Sequence, residues 1–222
     1  LSLERWSALI LAGGAGRRFG GGGAGAKLLA DLGGAPVIRR VAERVLAAGF
    51  AEVVVVTGAG GAGLRAALAG MDLRILNAPD WAEGMAASLR AGITALTPQA
   101  GGVCIFLGDM PLVPAALSGA LVEEARCSGY AARPRCEGKP GHPAAFTRAA
   151  FPDLMALQGD QGAAALLKAH PERVAYCDTT DRGVLLDVDT PADLEAAVAA
   201  WNACATSATS ESATSRGALP KP

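Results

Sequence analysis

Two parts of this 222-residue chain hold side chains suited to chemistry on a charged, phosphorylated substrate. The first is Leu9-Ile10-Leu11-Ala12-Gly13-Gly14-Ala15-Gly16-Arg17-Arg18-Phe19-Gly20, an apolar run that breaks into glycines and continues through more of them to Lys27. Glycines let backbone N–H groups come close to a polyphosphate, and Arg18 and Lys27 would add cationic donors. The segment is not a G-x-x-x-x-G-K-[ST] loop, because Leu28 follows Lys27. Nor is it a clean dinucleotide fingerprint, because no acid closes a following strand at the usual offset. A plain glycine linker is the alternative. The second part is acidic. Gly108-Asp109-Met110-Pro111 puts a carboxylate just past an apolar run, where it is costly unless it meets a cation or hydrogen-bond donors, and a hard oxygen ligand suits Mg2+. Asp109 is otherwise a turn or helix-capping aspartate. Asp189, after the last apolar run, either faces the same metal or caps the helix that follows, a role for which Thr190 competes better. Asp187 is expected on the side opposite Asp189.

These residues need a scaffold, and the chain alternates short β-branched runs with longer Ala/Leu-rich stretches of helical period. Residues 7–12, 52–57, 73–76 and 103–107 read as strands, the second and fourth as near-continuous apolar runs of a sheet buried on both faces. Helices are expected at 36–48, 61–69, 83–96 and 114–127. Further on, strands are expected at 130–133, 144–147, 173–176 and 184–188, and helices at 163–169 and 191–202, the last opened by Thr190-Pro191 and an early Asp193. Such alternation implies an α/β fold, a three-layer, doubly wound, mostly parallel sheet whose ligands sit beyond the carboxyl ends of the strands. One domain over 1–202 is expected, with 203–222 a disordered tail, since ACATSATSESATSRGALPKP has no apolar periodicity.

Composition narrows the function classes. Lys+Arg number 20 against 21 Asp+Glu, a net charge of −1 that argues against nucleic-acid or polybasic membrane binding. Gly is 29 of 222 but lacks a three-residue period, which excludes collagen. Five scattered cysteines with no C-x-x-C pair, a short apolar opening and no spanning run lead us to expect a reduced, cytoplasmic setting. Two histidines without clustered thiols make a protein-held zinc site improbable.

The first loop, L-A-G-G-x-G-x-R-[hydrophobic]-G followed by Lys27, resembles that of nucleotidyltransferases that activate molybdopterin and sugar phosphates. Asn77-Ala78-Pro79-Asp80-Trp81-Ala82-Glu83-Gly84-Met85-Ala86-Ala87-Ser88-Leu89, Gly108-Asp109-Met110-Pro111, Gly138-Lys139-Pro140-Gly141-His142-Pro143 and Leu186-Asp187-Val188-Asp189-Thr190-Pro191 follow in the order seen in the molybdenum-cofactor cytidylyltransferase group. The likeness spans residue 8 to about residue 200.

That resemblance implies a Rossmann-like nucleotidyltransferase fold and transfer of CMP from CTP, or another NTP, to a molybdopterin-type acceptor, releasing pyrophosphate. It assigns Arg18, Lys27 and Asp109 to catalysis and Asp109 with Asp189 to Mg2+. Leu11, Ala12, Gly13, Gly14, Gly16, Arg18 and Lys27 would hold the nucleotide, joined by Asn77, Gly84 and Ser88 around the start of a helix. Asn77 is otherwise a turn cap and Ser88 an ordinary helix residue. Pro140, Gly141 and His142 would face the acceptor, unless His142 only bonds its own loop. The acceptor phosphate is already ionised, so no protein nucleophile or general base is required. A molybdenum hydroxylase is the partner expected to receive the product.

The chain also departs from the pattern. Gly20 to Ala26 lengthens the approach to Lys27, Gly16 stands where relatives often have Ser, and Ala164 where they often have a basic residue. Gly13-Gly14 resembles the guanylyltransferases, against the cytidylyltransferase form of the other segments. The competing readings are a guanylyltransferase, a nucleotidyltransferase for another phosphorylated acceptor, a non-catalytic cofactor carrier and a dinucleotide-binding oxidoreductase.

Overall fold

The computed structural model describes residues 3–13, 19, 25–58 and 61–214, with side chains as far as residue 203. Its centre is β1 (Trp6–Ala12), an apolar strand buried over nearly its whole length because it has a parallel neighbour on each side. These are β2 (Glu52–Thr57) and β4 (Gly102–Leu107), and Ile10 stands level with Val55 on one and Phe106 on the other. β3 (Arg74–Asn77) extends the parallel set beyond β2.

The far half of the sheet is mixed. β5 (Ala131–Cys136) turns through Glu137 and Gly138, both at positive φ, into the short β6 (Lys139–Pro140), a two-residue loop of the kind that matches strand twist. β7 (Ala144–Thr147) runs antiparallel between β4 and β5, and β8 (Val174–Thr179) lies parallel to β5. The order is β3-β2-β1-β4-β7-β5-β6, with β8 on β5.

Side-chain alternation along the strands divides the core into two layers. Ala8, Ile10, Val55 and Phe106 pack under α1 (Ala26–Leu29), α2 (Val37–Ala47), α3 (Gly61–Ala67) and α5 (Leu117–Ser128). Leu9, Val54, Val56 and Ile105 pack on α4 (Met85–Ala95), α6 (Phe151–Ala156) and α7 (Ala163–Ala169) on the other face. The expected α/β three-layer architecture is therefore present.

The expected strand at 184–188 does not form. Arg182–Leu185 is a single 3-10 turn, and the segment bonds to loops: Val184 O accepts the His142 N–H and Val188 N donates to Asp109 O. The edge of β5 that a further strand would need is already occupied by β8. The last helix, α8 (Pro191–Thr214), continues beyond residue 202, where loss of apolar periodicity placed the boundary. No Gly or Pro interrupts the chain between Pro191 and Gly217, so no backbone breaker ends the helix at residue 202. The root of α8 is held by Trp201, which lies on Gly33 with the Arg40 and Arg44 guanidinium groups each 4.8 Å from its ring centre. Among the described residues no helix is long and apolar enough to cross a membrane.

Candidate active site

The carboxyl ends of β1 and β4 bring three remote charged side chains together. Gly25, at φ 87°, opens α1, and Leu28 buries itself beneath the helix so that Lys27 faces the strand ends. Lys27 Nζ lies 2.5 Å from Asp109 Oδ2 and 2.7 Å from Asp189 Oδ1. Burial works against its charge, but the two carboxylates outweigh that and raise the ammonium pKa above an ordinary lysine's. Lys27, set apart from the first glycines by the long Gly20 to Ala26 stretch, is thus the residue that joins both acids.

Each acid is held by its backbone. Gly108 N donates to Leu11 O at 2.9 Å, and Asp109 O accepts from Val188 N at 2.9 Å, so the two acidic segments are tied directly to each other. Thr190 Oγ1 accepts the Asp193 N–H at 3.2 Å while Asp193 Oδ2 accepts the Thr190 N–H at 2.8 Å, a reciprocal cap that assigns the capping role to Thr190. Asp189 instead directs its carboxylate to Lys27.

Asp187 is not isolated on an opposite face. Partial desolvation, followed by the negative charges of Asp109 and Asp189, pushes its carboxyl above the usual aspartate range. Residues two apart on an extended run share a face, so the separation of Asp187 from Asp189 does not hold.

Asp109 Oδ1 is buried without a hydrogen-bond partner. An orphaned carboxylate oxygen beside a second carboxylate fits a hard divalent cation. Among the described residues no group of three or more His, Cys, Asp or Glu could hold a metal alone.

Several of the other residues expected to hold a nucleotide lie around the same strand ends. Leu11 and Ala12 close β1, and Gly13 packs so tightly on α4 that a Cβ there would lie 2.9 Å from Ser88 Oγ. Ser88 is therefore buried against the first loop and is not a solvated helix residue. Gly84, at φ 117°, lies against Gly159, where any side chain would strike the backbone, and Gly159 O accepts the Ala86 N–H at 3.0 Å. The start of α4 is thus partly capped by the 159–162 loop. The Asn77 carboxamide nitrogen faces Thr57 O and Gly58 O at 3.3 Å each, bracing the end of β2. Arg18, Gly14 and Gly16 lie outside the described residues.

Pro140, Gly141 and His142, the residues expected to face an acceptor, lie beside β5. Gly141 N donates to Pro134 O and His142 N to Val184 O, each at 2.8 Å, and the His142–Pro143 peptide is cis. His142 Nδ1 is buried without a partner. Burial first, and then the neighbouring Arg133 charge, lower the imidazole pKa to about 4, so His142 is neutral at physiological pH. The sequence reading omitted Arg133, although an arginine inside the strand Ala-Ala-Arg-Pro-Arg-Cys was a visible signal.

The chain matches the family described as MobA-like NTP transferase domain over residues 8–174. It is 30% identical over 190 residues to nicotine blue oxidoreductase of Paenarthrobacter nicotinovorans, covering 82% of this chain and 91% of that one. Among solved structures it resembles Rv0371c of Mycobacterium tuberculosis H37Rv in complex with manganese, with 26% identity, a TM-score of 0.73 and coverage of 87% of this chain and 98% of that one. A nucleotidyl transferase from Methanothermobacter thermautotroptrophicus has the same fold, with 24% identity, a TM-score of 0.78 and coverage of 90% and 99%.

Proposed function

This chain belongs to the MobA-like NTP transferase domain family, and from that premise we propose that it transfers CMP from CTP to molybdenum-loaded molybdopterin, with release of pyrophosphate. The observation that carries nucleotidyl transfer is the meeting of Lys27, Asp109 and Asp189 at the sheet's ligand edge. Asp109 and Asp189 would hold Mg2+, which when bound supplies charge neutralisation at the phosphates. Lys27 and Arg18 would bind the triphosphate and oppose the negative charge that builds on the pyrophosphate leaving group. The acceptor phosphate oxygen attacks the α-phosphorus as pyrophosphate departs, so the protein contributes position and electrostatics and needs no nucleophile of its own.

Preference for cytosine rests on the GMAASL, GDMP, GHP and DVDTP segments. Packing against Ser88 gives a steric reason for glycine at position 13 that is independent of the base. Two other readings remain specific enough to test. The L-A-G-G form favours GTP, and the name of the 30% identical relative favours a reductase. Pyrophosphate release with Mg2+ and molybdenum-loaded molybdopterin, comparing CTP, GTP, ATP and UTP, separates the first two. CTP-selective turnover is expected, GTP-selective turnover reverses the base assignment, and no turnover with any of the four overturns the transfer. Oxidation of a reduced nicotinamide cofactor in its place would establish the reductase.

A further inference from the structure

A buried cation stands on the acceptor side with no counter-charge. Arg133 is 7% exposed, and its Nε and Nη2 both donate to Gly141 O, at 3.1 and 2.9 Å. Among the described residues no carboxylate pairs with it. A guanidinium carries five N–H donors, and Gly141 O engages only two of them. Holding an ionised side chain this far from water is costly unless an anion completes its shell. The adjoining His142 has the matching feature, a buried Nδ1 with no partner, and its peptide N–H is fixed to Val184 O. An orphaned imidazole nitrogen and a guanidinium with donors to spare thus meet at one loop.

We propose that Arg133 and His142 form the receptor for a phosphate monoester on the acceptor, Arg133 supplying the charged fork and His142 a neutral Nδ1–H donor. The proposal rests on the acceptor-side reading of the Gly138–Pro143 loop. The planar fork suits phosphate oxygens, and a neutral imidazole beside it adds a donor without charge repulsion. Asp109 lies within electrostatic reach of His142, so a dianion arriving there needs a strong local cation. Arg135, on the same strand, cannot serve, because it is engaged bidentately by Asp178 at 2.7 and 2.9 Å.

The test uses the full chain with inorganic phosphate as the probe, read from the imidazole 1H–15N signals. The protein has only two histidines, so His170 is an internal control. Phosphate should shift the His142 signals saturably and leave those of His170 in place. Arg133→Gln should weaken the titration at least tenfold, Arg133→Lys should give an intermediate affinity, and Arg135→Gln should titrate like the wild type. An unmoved His142, or Arg133→Gln binding like the wild type, would overturn the receptor. If Arg133→Gln does not fold by circular dichroism, wild-type affinity in Arg133→Lys overturns it equally. Because phosphate binding is read without nucleotide, absence of turnover with every NTP would remove the transfer reaction and leave the receptor standing. Turnover with an acceptor KM unchanged in Arg133→Gln would do the reverse.

Discussion

At the carboxyl ends of β1 and β4, Lys27 lies between Asp109 and Asp189 and each charge has an opposite neighbour within 2.7 Å. Beside β5, Arg133 is more deeply buried yet among the described residues bonds a carbonyl oxygen and no carboxylate, and His142 Nδ1 has no partner. The first arrangement sets one ammonium against two carboxylates and leaves Asp109 Oδ1 unpartnered, so it is short of positive charge. The second is a cation that no carboxylate among the described residues pairs with, so it is short of negative charge. The contrast is one of opposite charge excess at two places on the same sheet.

The sharpest break of this contrast is Asp109→Ala, which removes the acid shared by Lys27 and the metal site. Turnover should fall by on the order of 10²–10³-fold, followed as pyrophosphate release, with little loss of secondary structure because the residue lies at an edge. Wild-type activity in this variant would sink the metal assignment.

Lys27→Met leaves Asp109 and Asp189 facing each other without their ammonium. Stability should drop by about 1–3 kcal/mol, and added Mn2+ should raise Tm more in this variant than in the wild type, since the two carboxylates are no longer shared. Equal metal-induced shifts would mean that lysine and metal do not use the same oxygens.

The acceptor side is sharpened by pH. The folded-state pKa of His142 is lowered to about 4, below the unfolded value of about 6.5, so the unfolded chain binds more protons between those limits. The stability associated with His142 is therefore present above about pH 6.5 and lost as pH falls toward 4, by up to about 3 kcal/mol. Urea unfolding at pH 5 and pH 7 should show this slope in the wild type and a shallower one in His142→Gln.

The smallest effect concerns the contact where the first loop meets α4. Gly13→Ala should cost about 1–2 kcal/mol through its clash with Ser88 Oγ, and Ser88→Gly should relieve much of it in the double variant. Strict additivity in that double-mutant cycle would rule out the steric reason for glycine.

The strands β1, β2 and β4 were legible in the sequence because buried parallel strands require near-continuous apolar runs, and Asp109 and Asp189 were legible because each acid follows such a run. The 184–188 segment misled, since an apolar run looks the same whether its backbone pairs with a strand or with loops. Asp187 was misplaced for another reason, since residues two apart on an extended run share a face and Asp187 belongs with Asp189. Arg133 was missed because a lone arginine between alanines does not announce how deeply it is buried or whether an acid stands opposite.

The sequence by itself therefore determined the alternation of elements, the layered α/β sheet and the identity of the acids at its ligand edge, all properties of local pattern and residue type. Only the tertiary structure decided that Lys27 joins two acids 82 and 162 residues away, that Asp187 shares their field, and that Arg133 is buried near His142 with no carboxylate partner among the described residues. Pairing and desolvation depend on which remote backbones converge, and hydrogen bonds such as Val188 N to Asp109 O fix that convergence only once the chain has folded.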